Sequence, residues 1–166
     1  MTITAYQTLA SANFTEFKSK GSRFIAYAYP VKNVSEIKQH IDFLKENHHK
    51  ARHWCYAYRL GEDGIQFRAN DDGEPAGSAG RPILGQIDSL GITDTLVVVV
   101  RYFGGTLLGI PRLIHAYKTA TSLVLSQIPI IEKNIEKIVS IRCDYPYLTD
   151  TIRLAKKNHA EIIEQE

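Results

Sequence analysis

TLVVVVRYFGG (residues 95–105) is the stretch on which the fold turns. Leu96 to Val100 form an unbroken aliphatic run, the signature of a strand covered on both faces. Gly104 and Gly105 end it, and Pro111 opens a helix that reaches about Leu125, with Leu113, Ala116, Tyr117, Ala120 and Val124 on one stripe. Upstream, PILGQIDSLGI (82–92) predicts a short helix ended by Gly91. HWCYAYRL (53–60) and IQFRA (65–69) predict two strands joined by the hairpin-type turn GEDG (61–64). Between IQFRA and the short helix lies a long surface loop, NDDGEPAGSAGRP.

Toward the N-terminus, Ser35 is positioned to cap a helix with Glu36 in its first turn and an apolar stripe at Ile37, Ile41 and Leu44. FKSKGSRFIAYAYPV (17–31) reads as a basic loop followed by a weakly alternating strand that Pro30 closes. Around Pro129 the composition shifts. IEKIVSIRC (135–143) predicts a strand, YLTDTIRLAKKN (147–158) a helix, and AEIIEQE (160–166) the start of another strand. The expected division is therefore a main domain at 1–129 and a shortened β-α-β segment at 130–166. A two-stranded sheet is marginal alone, and its open edge offers a route to dimerisation.

The chain has 166 residues, 44% hydrophobic and 23% charged, which suits a globular protein able to bury a core. A net charge of +2 excludes a strongly basic nucleic-acid binder but not a basic face. Residues 1–50 carry seven Lys/Arg against four Asp/Glu; residues 51–100 carry four against seven. Cys55 and Cys143 suit neither a disulfide framework nor metal-site spacing, so a reducing, cytoplasmic setting is expected. The N-terminal stretch lacks signal-peptide character, and no run approaches the roughly 20 apolar residues of a membrane span.

Four features are candidates for function. The cluster Asp71, Asp72, Gly73, Glu74, Pro75, with Ser78 beyond it, offers hard oxygen ligands but lacks EF-hand spacing, so a recognition or structural loop is the stronger reading. Arg101, Tyr102, Phe103, Gly104 and Gly105, followed by Arg112 at the start of a helix, have the shape of an anion-binding turn without the P-loop pattern. His53 and Cys55, two apart on a strand, are a weak nucleophile-and-base candidate with His48 and His49 nearby. Lys18, Lys20, Ser22 and Arg23 surround Gly21 in a compact basic segment suited to phosphates or an acidic partner. The acidic loop and the arginine turn are also candidate partners for each other. Asp71 or Asp72 would pair with Arg101, and Glu74 would cap a helix N-terminus.

Taken together, SKGSRFIA (19–26), ARHWCYAYRLG (51–61), DDGEPAGSAGRPIL (71–84), VVVVRYFGGTLLG (97–109) and LIHAY (113–117) resemble the IMPACT family, whose bacterial members include the YigZ-like proteins. The motifs occur in the family's order over roughly residues 17–127. The resemblance implies an α+β fold of the ribosomal-protein-S5 domain-2-like kind for the main domain, with the tail opening a ferredoxin-like domain. It also implies a link to regulation of translation, since the eukaryotic relatives are translation regulators that bind the activator of a starvation-responsive kinase. Nucleic-acid or ribosome binding by the bacterial relatives follows from fold analogy. This chain departs from the family where GSAG (77–80) replaces Gly-Thr-Ala-Gly. It departs again where Leu107 replaces a lysine and Pro111-Arg112 replace paired glycines.

Two functions follow as expectations. One is a non-catalytic binding protein, without cofactor or metal, that engages RNA, the ribosome or a translation-related protein. The alternative is a metal-dependent hydrolase of phosphate-containing substrates, acting through the acidic loop with His53 and Cys55.

Overall fold

The aliphatic run is the central strand of the molecule. A computed structural model describes residues 2–166, divided into two units between Ile135 and Glu136. The first unit runs β1 (Ala5–Leu9), β2 (Asn13–Ser19), β3 (Ser22–Pro30), α1 (Val34–Asn47), β4 (His53–Leu60), β5 (Gln66–Asn70), α2 (Gly80–Ser89), β6 (Thr95–Tyr102), α3 (Ile110–Ser126) and β7 (Ile130–Asn134). Five strands form one antiparallel sheet in the order β2-β3-β6-β4-β5, while β1 and β7 pair in a separate antiparallel ladder. The architecture is mixed α+β.

Alternation along β6 assigns its two faces. Val97 and Val99 join Phe24, Ala26, Ala28, Cys55 and Ala57 under α2 and α3. Leu96, Val98 and Val100 join Ile25 and Tyr58 under Ile37, Ile41 and Leu44 of α1. The α3 stripe read from periodicity is buried as expected, with Tyr117 and Ala120 fully inside. Ala26, Ala28 and Ala57 keep the sheet surface low beneath two helices, and dense interior packing requires such pairing of small with large residues.

Several elements differ from the sequence reading. Residues 13–30 form a hairpin, β2–β3, rather than a loop and one strand. Ser19 pairs with Ser22 across a two-residue turn, and Lys20 and Gly21 both have positive φ, 45° and 83°. That is the primed turn geometry whose twist matches antiparallel strands. Asn33 rather than Ser35 caps α1: its Oδ1 accepts the Glu36 N–H at 2.9 Å, and Glu36 returns a carboxylate oxygen to Lys32 N–H at 2.8 Å. The strand Ile130–Asn134 pairs with β1 in the first unit.

The second unit contains a single 3-10 turn, Tyr145–Tyr147, running into α4 (Leu148–Lys157). Among the described residues, 135–143 and 160–166 carry no strand, contrary to their apolar, β-branched composition. Strand propensity is realised only against a neighbouring strand, and neither segment has one. No helix of the described residues is long and apolar enough to cross a membrane.

Candidate functional site

Asp71 sets the geometry of the acidic loop. One carboxylate oxygen accepts the N–H groups of Ala79 (3.1 Å) and Gly80 (2.8 Å), and the other accepts that of Gly77 at 2.9 Å. These are the orphan donors where α2 begins, so a side chain from eight residues upstream of Ala79 caps the helix. Burial pushes the Asp71 carboxyl up, but the amide hydrogens of Gly77, Gly80 and Ala79 outweigh it, with Arg81 assisting. The net result holds Asp71 below the usual carboxylate range. Asp72 turns the other way. Its carboxylate accepts the Trp54 N–H at 2.8 Å, and its carbonyl accepts from His53 Nδ1 at 2.8 Å. Gly73, at φ 86°, lets the loop pass against the His53 ring.

Glu74 reaches inward and is 8% exposed. Its Oε1 accepts from Arg101 Nη1 at 2.5 Å and from the Tyr117 hydroxyl at 2.7 Å, with His53 Nε2 at 3.8 Å. Arg101, itself 5% exposed, sends its other terminal nitrogen toward Ser22 Oγ at 3.4 Å, and the same oxygen accepts the Gly104 N–H at 3.2 Å. The pairing expected between the acidic loop and Arg101 therefore exists, with the roles exchanged. Glu74, not Asp71 or Asp72, meets Arg101, and Asp71, not Glu74, caps the helix. A carboxylate three residues further along the loop reaches the sheet interior, which spacing alone does not reveal.

Cys55 is fully buried, 3.0 Å from the Asp71 carbonyl oxygen and 3.3 Å from the Tyr117 hydroxyl. Burial pushes its thiol far up; the Tyr117 hydrogen bond opposes this, and the charges of Glu74, Asp72 and Asp71 add to it. Such a thiol supplies no thiolate at neutral pH. Among the described residues no group of three or more His, Cys, Asp or Glu side chains is placed to hold a metal ion.

The structure thus draws Ser22, His53, Asp71, Asp72, Gly73, Glu74, Arg101 and Gly104 into one connected cluster. Pro75 and Ser78 belong to the same loop, where the Pro75 carbonyl accepts from the Ser78 hydroxyl. Tyr102, Phe103 and Gly105 lie at its solvent side, Lys20 and Arg23 on the adjoining hairpin, and Arg112 on the exposed first turn of α3. Arg23 sits over the Tyr102 ring at 5.2 Å and pairs with Glu16. Sequence reasoning missed three participants. Tyr117 was legible only as part of an apolar stripe. Arg52 is stacked over Phe103 at 5.3 Å. His48 lies between the hydroxyls of Tyr27 (2.7 Å) and Tyr102 (2.6 Å).

A model of the Impact N-terminal domain matches residues 20–125, the span that contains this cluster, and the chain belongs to the IMPACT family. It is similar to the IMPACT family member YvyE of Bacillus subtilis, 38% identical over 144 residues, covering 87% of this chain and 66% of YvyE. It is also similar to YigZ of Escherichia coli, 36% identical over 146 residues, covering 87% of this chain and 72% of YigZ. The chain thus spans about two thirds of the length of YvyE. A solved structure described as a hypothetical protein superposes with a TM-score of 0.82 at 32% identity, covering 99% of this chain and 81% of that one.

Proposed function

We propose that the chain is a non-catalytic binding protein linked to the regulation of translation, engaging RNA, the ribosome or a protein partner. The observation that carries this reading is the engagement of the family's signature side chains with one another. Asp71 holds three backbone amides, Asp72 holds Trp54, and Glu74 holds Arg101 and Tyr117. A metal-dependent hydrolase needs open carboxylates and a reactive nucleophile; here the carboxylates have donors and the thiol is buried. The signature residues are best suited to fixing two loops in one place and presenting their outer surface. Membership of the IMPACT family supports the link to translation, and that link in turn assigns the chain to the cytoplasm.

With this goes a finer reading of the fold. The main domain, residues 1–129, is taken as S5 domain-2-like, and residues 130–166 as the opening of a ferredoxin-like domain whose free edge favours dimers. The binding residues are taken to be Lys20, Arg23, Tyr102, Phe103, Gly105 and Arg112 at the surface, positioned by Ser22, His53, the DDGEP loop, Ser78, Arg101 and Gly104. Affinity purification of the tagged chain from native lysate, with and without nuclease, tests the function. Ribosomal or translation-factor proteins are expected in the eluate. Their absence from both preparations would overturn the proposal.

A further inference from the structure

We infer that a single-stranded RNA segment docks at the end of the sheet where the β2–β3 turn, the C-terminal turn of α1 and the end of β6 converge. The partner class rests on the translation-linked reading above; the surface rests on geometry.

Lys18 pairs with Arg23, and Arg23 pairs with Tyr102, so all three stand in one row on one face of the sheet. The end of α1 is fixed to that row by His48, held between the Tyr27 and Tyr102 hydroxyls. The chain leaving α1 then runs back along β6, with Arg52 N–H donating to the Arg101 carbonyl at 2.9 Å. Six exposed cations meet here: Lys18, Lys20, Arg23, Lys45, Lys50 and Arg52. Two acids accompany them, Glu16, which pairs with Arg23, and Glu46 on α1. In a chain with a net charge of only +2, that is a strong local concentration of positive charge.

Aromatic rings lie between the cations. Arg23 covers Tyr102 at 5.2 Å, Arg52 covers Phe103 at 5.3 Å, and Lys45 stands 6.0 Å from the Trp54 ring. Phe103 is 37% exposed, and Phe14, stacked on Tyr27 at a centroid distance of 5.3 Å, is 61% exposed. Cations alone would suit any polyanion. An acidic peptide satisfies them but has no planar group for the rings, and a duplex hides its bases within the stack. Single-stranded RNA supplies both phosphates for the Lys and Arg side chains and free base faces for the aromatics. The cations already poised over the rings can move to phosphates as bases take their places.

The test is fluorescence anisotropy of a labelled oligouridine of about 12 nucleotides, a length within the usual single-strand site size. The full chain is titrated at several salt concentrations. Binding that weakens with salt is expected. Lys50→Glu with Arg52→Glu should weaken it at least tenfold and reduce the salt slope by about two, since each lost phosphate contact removes about one. Phe103→Ala should weaken binding by roughly fivefold or more with the salt slope unchanged, as stacking does not release counterions. Lys118→Glu, an exposed reversal on α3, should leave affinity as it was. Thermal melts matching the wild type separate these effects from misfolding; should Phe103→Ala unfold, the exposed double reversal carries the test. No association at low salt, or equal loss from Lys118→Glu and the double reversal, would overturn the proposal. So would loss, on the double reversal, of a nuclease-resistant protein partner from a chain that binds no RNA. That last outcome leaves the translation-linked reading standing. Oligouridine binding without any translation component in the affinity purification has the opposite meaning, sinking that reading while the surface survives.

Discussion

Gly104 and Gly21 are in backbone contact. A Cβ on Gly104 would lie 2.0 Å from the carbonyl carbon of Gly21 and 2.3 Å from its oxygen. The glycine turn that reads in sequence as an anion cradle is thus a joint between the end of β6 and the β2–β3 hairpin. Gly104→Ala should destabilise the protein by more than about 2 kcal/mol, because backbone rather than a side-chain tip must move. Gly105, at φ 87°, has no atom within 4 Å of its virtual Cβ. Gly105→Ala should therefore cost only the left-handed conformation, about 1–2 kcal/mol. Urea denaturation of the two variants separates steric from conformational effects.

Removal of the Asp71 carboxylate strips three amides of their acceptor. Asp71→Ala should lower stability by about 2 kcal/mol, at the upper end of helix-cap effects. The same bonds predict an acid dependence. The folded value of Asp71 is depressed, so its contribution is complete above the ordinary value of about 3.9 and is lost as pH falls through the lower folded value. Urea midpoints of wild type should fall on acidification below about pH 4, and more steeply than those of Asp71→Ala.

Glu74 and Arg101 form a buried ion pair in which neither charge tolerates loss of the other. Arg101→Met or Glu74→Gln alone should cost about 3–5 kcal/mol, while the double variant should cost less than the sum. A double-mutant cycle by chemical denaturation measures the coupling. An additive cycle would show that the pair does not act as a unit.

Burial holds His48 below the ordinary histidine value, and the Arg23 charge adds to the effect. Its contribution to stability is present above about pH 6.5 and lost as pH falls through the lower folded value. His40, lowered first by burial and opposed by Glu36, acts in the same direction. Stability should decline between pH 7 and 5, and His48→Gln should flatten that decline without abolishing it.

Thiol labelling offers a further check. Cys143 is exposed and Cys55 buried. One equivalent of a neutral alkylating reagent should react with the native protein at neutral pH, and a second only on unfolding. Fast labelling of both in the native state would contradict the thiol environment described for Cys55.

Where the sequence carried a periodic or punctuated signal, the fold was legible. The run Leu96–Val100, the α3 stripe and the Gly91 stop of α2 all act locally. Lys20-Gly21 was less legible, because a lysine at positive φ is stabilised by the hairpin around it rather than by its own preference. β1 and β7 were invisible: β7 is exposed along its whole length, and its pairing with β1 joins segments over 100 residues apart. At the candidate site, residue types and the partnership of two motifs could be read from spacing and charge. Which carboxylate met Arg101 could not, since it depends on the direction a loop takes through space. Tyr117 was hidden because one ring packs edge-on against Phe24 while its hydroxyl receives the buried network.

The position of β6 between β3 and β4 has a consequence for how the chain assembles. β2–β3 and β4–β5 are hairpins closed by short connections, so each can form as soon as it has been synthesised. Their inner edges, β3 and β4, have no partner until residues 95–102 arrive and insert between them. A nascent chain of about 90 residues therefore displays two unsatisfied strand edges at once, and the most aliphatic segment of the protein is the one that seals both. Substitutions in β6 should accordingly show in refolding yield and aggregation before they show in the stability of molecules that have already closed.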